Sequence, residues 1–328
     1  MTMKALVSHD TALAYWRQHF PLDSELGRTA RVSKVEKCAS CKDEVLDAVP
    51  ETFRIEGRPV DVLVFDASAR RHSSQVTCHF WGGDLPKGSF YRVSGMVVSS
   101  PEFVFLQMAR KLTVVQLVAL GCELCGTYIC LPRDAKHPGA IDEFPTRISP
   151  LTTTAKLKAF VDSAKNAKGA KNAQRALRFV VDGSRSPMET RVYLQLCLSP
   201  MLGGYGLPKP LMNARIELGD EARMLSRKGH CEGDLCWPAA KLDIEYHGEV
   251  HVGASEMKSD VGRTLAIEHE EWKVITLTSP QVLDIGQFEV VAKQVSTKLG
   301  KRLMSRVLGM TPSRCGLHDE LDAWMFGE

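Results

Sequence analysis

The chain has 328 residues, 44% hydrophobic and 25% charged, with 42 Lys and Arg against 39 Asp and Glu. That composition excludes a disordered or fibrous chain and gives length enough for two domains of ordinary size, while a net charge of +3 is compatible with nucleic acid without requiring it. No run of about 18 apolar residues occurs and no signal-peptide core opens the chain, so the expectation is a cytoplasmic protein with no membrane partner.

In the first half, "RPVDVLVFD" (58–66) and "FYRVSGMVVSS" (90–100) read as strands, and "PEFVFLQMARKL" (101–112) as a helix. Ser100 and Pro101 fit its N-cap and first helical position. "LTVVQLVALGCELCGTY" (112–128) has helical periodicity, which places Cys122 and Cys125 on one helix face as small core residues. The other Cys-x-x-Cys pair, Cys38 and Cys41, stands in a loop-like stretch where metal binding stays open. All ten cysteines are expected as thiols, given no secretion signal. Neither a Gly-rich phosphate loop nor a helix-turn-helix pair is read.

Residues 156–183 bring Lys156, Lys158, Lys165, Lys168, Lys171, Arg175 and Arg178 into a mostly helical stretch. It reads as a basic connector, either a solvated helix face or an arm that contacts phosphates. Beyond it the order is helix (184–198), three strands ("ARIELGD", "GDLCWP", "KLDIEYHG"), helix (255–271), strand ("WKVITLT") and closing helix (288–309). The expected fold class is therefore α/β with two domains: residues 1–150, a connector 151–183, residues 184–310 with a short mixed sheet flanked by helices, and a tail 311–328.

The stretch "GDLCWPAAKLDIEYHGEVHVG" (233–253) carries the chemistry. Asp234 begins one strand and Glu245 lies near the end of the next, so a hairpin brings both carboxylates to one end of the sheet. Glu245 and His247, two apart, point to the same face. Two close carboxylates raise each other's pKa unless a cation intervenes, and oxygen ligands suit Mg²⁺ or Mn²⁺. Such an ion polarises a phosphodiester and activates water, with a neighbouring imidazole to accept the proton.

The pattern Asp234, then Glu245-Tyr246-His247, resembles the core of the PD-(D/E)xK restriction-endonuclease-like superfamily, with His247 where a lysine usually stands. It looks closest to the branch related to very-short-patch mismatch repair endonucleases. There the motif strand ends in a polar residue and Gly followed by His, as in His247-Gly248-Glu249-Val250-His251, with a helix carrying Asp260 and Arg263 next. "SPMET" (186–190) matches the Ser-Pro-x-Glu helix start of such domains, and the resemblance implies Glu189 as a further acidic ligand. It implies a metal-dependent DNA endonuclease with Asp234, Glu245 and Glu189 as metal ligands and His247 and His251 as catalytic imidazoles. The first half resembles, more faintly, the regulatory domain of AbiEi-type antitoxins, which implies a partner toxin or defence protein and a role in phage defence.

Each site residue also has a purely structural reading. Ser186-x-x-Glu189 is a capping box, Asp234 a turn carboxylate, Glu245 or Asp243 the solvent side of an edge strand, and Asp260 with Arg263 a helix ion pair. His230, Cys231 and Cys236 match no zinc spacing, so structural zinc is not expected, and Cys236 and Trp237 read as core. The rival functional reading is an antitoxin-like regulator, binding DNA or a toxin, that keeps an inactive nuclease fold as a scaffold.

Overall fold

A computed structural model describes residues 5–18, 30–32, 42–70, 72–93, 96–130, 144–248 and 254–326. The chain is mixed α/β and separates into two compact units, residues 1–125 with 147–180, and residues 126–146 with 181–328. Among the described residues no helix is long and apolar enough to cross a membrane. Cys38, Cys41 and His251 lie outside the described residues.

The first unit begins with strand β1 (Leu6–Val7), helix α1 (His9–Gln18), β2 (Ala30–Val32), α2 (Lys42–Ala48), β3 (Val60–Val64), β4 (Val76–Phe80), β5 (Phe90–Val93) and β6 (Met96–Ser99). Among the described residues its six strands run in the order β2-β5-β6-β1-β3-β4. "FYRVSGMVVSS", expected as one strand, is two, β5 and β6, paired antiparallel. β1 and β4 escaped the sequence reading: β1 has only two residues, and β4 interleaves Thr77 and His79 with its apolar positions.

Helix α3 (Pro101–Met108) starts as expected, the Ser100 hydroxyl accepting from the Phe103 N–H and Pro101 at the first turn. In α4 (Val114–Leu124) Cys122 is buried as a core thiol, and Cys125 is buried just past its end. Residues 151–180, read as a basic helical connector, are helical, and they belong to the first unit. They form α5 (Thr154–Ser163) and α6 (Ala170–Leu177), which pack on α3 and α4 through Leu157, Phe160, Val161, Ala173 and Ala176. The seven basic side chains stay on the exposed face. The apolar stripe at helical spacing decides this: about 25 cal/mol per Å² of buried apolar area outweighs what a dangling linker gains in entropy.

The second unit runs α7 (Pro187–Cys197), β7 (Leu211–Glu217), α8 (Asp220–Ser226), β8 (His230–Trp237), β9 (Leu242–Tyr246), α9 (Ala254–His269), β10 (Lys273–Leu277), α10 (Ser279–Leu283), α11 (Ile285–Lys298) and α12 (Pro312–Phe326). Its sheet order is β10-β9-β8-β7, with β7, β8 and β9 antiparallel in turn and β10 parallel to β9. Ile216, Ala222, Cys231, Cys236, Ala266 and Ile267 share one core cluster. Four elements depart from expectation, and two of them, α8 and α10, were not read from the sequence at all. The closing helix stops at Lys298, before Gly300 in the left-handed region. The expected tail is α12, held to α7 by a 2.5 Å ion pair between Arg191 and Asp322, with Arg191 and Gln195 also contacting the His318 ring.

Candidate functional site

The site grows from the β8–β9 hairpin. A short turn ending at Lys241, in the left-handed region, sets the register so that Cys236 faces Asp243 and Leu235 faces Ile244. One further step of that register puts Asp234 against Glu245, the pairing expected from the sequence. Asp234 is half-buried, and its Oδ2 accepts the Tyr246 N–H at 2.9 Å. Glu245 is 5% exposed.

Glu189 arrives from the first turn of α7. The Ser186 hydroxyl accepts the Glu189 N–H at 2.9 Å, and Glu189 Oε2 accepts from the Arg185 N–H at 2.9 Å and from Asn213 Nδ2 at 2.6 Å. The capping role is therefore real, and it leaves Glu189 buried beside the other carboxylates. Asn213 has φ 47° and interrupts the β7–β8 ladder, since Met212 and Ala214 pair with β8 while it does not. Asn tolerates that conformation, and its amide donates instead to Glu189 and to the Gly183 carbonyl.

Asp243 is a fourth carboxyl, fully buried, and its Oδ2 has no donor. It faces Glu245 closely enough to hydrogen-bond when one of the two is protonated. The chain makes room for it at Gly233, where a Cβ would lie 2.4–2.5 Å from the Asp243 carboxyl atoms.

Burial, then repulsion from Glu245 and Glu189, pushes the Asp234 pKa up to about 8. Burial, then the hydrogen bond and the charge of Glu245, pushes Asp243 up to about 9. Glu189 is raised by burial, against the hydrogen bonds from Arg185, Asn213 and Ser186. With only protein charges present, the cluster thus holds protons at neutral pH that ordinary carboxylates release. Arg263 of α9 supplies a compensating charge: its guanidinium donates to the Glu245 carboxylate and to the Glu232 carbonyl. Arg185 pairs with Glu232 at 2.5 Å.

Asp234, Glu245, His230 and His247 line a cavity of about 380 Å³, with Arg185, Arg263 and Lys228 also on it. His247 is exposed, beyond the end of β9, and its backbone N–H donates to the Leu277 carbonyl at 2.8 Å. Asp234, Glu245 and Glu189 come together, and His247 reaches the same cavity. Among the described residues no group of three or more His, Cys, Asp or Glu side chains is arranged to hold a metal ion, so neither a three-carboxylate cage nor a His230-Cys231-Cys236 zinc site is preformed. Cys231 and Cys236 belong to the core.

Asp243, Asn213 and Arg185 were not expected from the sequence as site residues. Asp243 shares the strand face of Glu245 two positions on, which was the available signal; Asn213 and Arg185 act through backbone geometry that no spacing reveals. Comparison with known proteins adds nothing to this picture: no family model matches the chain, and no curated protein or solved structure matches it.

Proposed function

We propose that the second unit is a metal-dependent endonuclease that hydrolyses DNA phosphodiester bonds. One observation carries this reading: Asp234 is held half-buried against Glu245 and Glu189, in surroundings that disfavour its ionised form and that a bound cation would relieve. The oxygen donors suit Mg²⁺ or Mn²⁺, and Mg²⁺ commonly binds through one or two carboxylates while keeping several waters, so a preformed cage is not required. Asp234 and Glu245 would hold it directly and Glu189 from its hydrogen-bonded place behind them. The ion's contribution is to polarise the phosphodiester and acidify the attacking water.

The chain's own groups supply the rest. His247, exposed on the cavity, is the imidazole placed to accept the proton of the attacking water. Arg185 and Lys228 attract the phosphate backbone. Asp243 in its protonated form donates to Glu245 and fixes that carboxylate's orientation. The order helix, strand, short helix, two strands, helix, strand with a mixed four-stranded sheet supports a restriction-endonuclease-like core. A place in defence or DNA repair, with a toxin or defence protein as partner, belongs to the same proposal.

A second reading is favoured by Arg263. Its guanidinium sits on Glu245, the position a cation would neutralise, as expected of a nuclease fold retained as the scaffold of a DNA- or toxin-binding regulator. Cleavage of supercoiled plasmid and of mismatched duplex with Mg²⁺ or Mn²⁺, beside Asp234→Asn and Glu245→Gln, separates the two. Metal-dependent cutting lost in both variants supports the nuclease. DNA retained by all three proteins with no cutting supports the scaffold.

A further inference from the structure

The first unit holds a second built site, unrelated to the carboxylate cluster. Two adjoining cavities, of about 470 Å³ and 330 Å³, share Phe80, Arg110 and Lys168 in their walls. Each falls within the roughly 300–1,000 Å³ of small-molecule sites. Their chemistry differs. The larger is walled by Phe80, Trp81 and the Gly82-Gly83 backbone, facing residues 163–168 at the end of α5 and beyond. Phe80 is 40% exposed although it is a large aromatic residue at the end of a strand. Its ring lies over Gly82, where a Cβ would come within 2.9 Å of it, and Trp81 is set edge-on against buried Phe103 at 4.9 Å.

The smaller cavity is lined mainly by basic side chains. Its lining includes the His9 and His79 rings, stacked with centroids 3.7 Å apart. His79 Nε2 meets Asp61 Oδ1 at 2.7 Å, His9 Nδ1 meets Ser8 Oγ at 3.0 Å, and the His9 N–H donates to Gln107 Oε1 at 3.0 Å. His9 adopts φ 47° to do so, a left-handed conformation that few non-glycine residues hold. Burial, then the charges of His79, Arg110 and Lys111, keeps His9 well below the usual histidine range and therefore neutral. Lys111 is paired with Asp10, but Arg110 and Lys168 have no carboxylate partner among the described residues. Two uncompensated cations beside a floor of fixed hydrogen-bonding groups call for an anion.

We propose that this double cavity binds a nucleoside phosphate, its base against Phe80 and Trp81 and its phosphate on Arg110 and Lys168. A planar aromatic ring suits the wall of the larger cavity, and a phosphate suits the cationic border that the two cavities share. The same chemistry occurs in a free nucleotide and at the 5′ end of a strand; the site is assigned to the free nucleotide, because the exposed aromatic wall and the cations are confined to two cavities of small-molecule size.

The test is isothermal titration calorimetry of the full chain, without divalent ions, using ADP, adenosine and inorganic phosphate. ADP should bind saturably at one site, and adenosine and phosphate each at least about tenfold more weakly, as expected when half of the contacts are missing. Arg110→Gln and Lys168→Gln, both at exposed side chains, should each weaken ADP by about tenfold, the loss of one charge-assisted hydrogen bond. Asp234→Asn should leave ADP affinity unchanged. Absence of saturable ADP binding, undiminished affinity in either cavity variant, or phosphate binding as tightly as ADP would overturn the proposal. So would a 5′-phosphorylated hexanucleotide that binds Arg110-dependently and more tightly than ADP, which would make this a strand-end site.

Discussion

Replacing Asp243 by Asn should stabilise the second unit, and by an amount that grows with pH. Asp243 is fully buried, one of its oxygens has no donor, and its pKa stands at about 9. Because the folded value lies above the unfolded one of about 4, the folded chain keeps a proton that the unfolded chain has lost throughout that interval. Stability therefore falls as pH rises, by about 1.4 kcal/mol per pH unit, from about pH 4 up to about pH 9, and then levels off. At pH 7 that limit is about 4 kcal/mol, and sharing of the proton with Glu245 and Asp234 reduces the expected gain to about 1–3 kcal/mol. Asn has the same shape, carries no charge and still donates to Glu245. At about 2–4 °C per kcal/mol for a unit of this size, the melting midpoint should rise by roughly 3–10 °C near pH 8 and hardly at all near pH 4.5. Thermal unfolding followed by circular dichroism at the two pH values measures this. A lower midpoint in the variant at pH 8, or the same shift at both pH values, would refute the reasoning.

Gly233→Ala should destabilise the same unit by about 1–3 kcal/mol, seen in guanidinium unfolding, because the new Cβ lands 2.4–2.5 Å from the Asp243 carboxyl. Arg263→Gln should lower stability by about 1–3 kcal/mol, since it leaves buried Glu245 without its counter-charge. The midpoint rise on adding Mg²⁺ should then be larger in Arg263→Gln than in the wild type, and an equal or smaller rise would separate Arg263 from the cation site. Burial, then the Arg191 charge, holds the His318 pKa at about 4, below its unfolded value, so the wild type should lose stability as pH falls from about 6.5 to about 4. His318→Gln should flatten that part of the acid unfolding curve.

What the sequence made legible followed short-range physics. The alternation of β8 and β9, the Ser100-Pro101 and Ser186-Pro187 helix starts, and the burial of Cys122 and Cys236 all follow from periods and caps that act within a few residues. Asp234 and Glu245 were found because a tight hairpin turns sequence spacing into spatial proximity. What stayed hidden depends on distant partners. The helices α5 and α6 look like a linker until α3 and α4 offer a face to cover, and α12 looks like a tail until Arg191 on α7 meets Asp322. Asn213 carries no sequence sign of its left-handed backbone, yet its amide holds Glu189. The double cavity of the first unit was equally silent, since His9, His79, Arg110 and Lys168 come from four separate segments.

The central claim is that Asp234 and Glu245 together form one divalent-cation site, and Mn²⁺ titration followed by electron paramagnetic resonance tests it most directly. The account predicts one Mn²⁺ held per chain, displaced by Mg²⁺, weakened by lowering the pH as Asp234 takes up its proton, and lost in Asp234→Asn and in Glu245→Gln. Mn²⁺ bound equally well by both variants, or not bound by the wild type near pH 8, would contradict it.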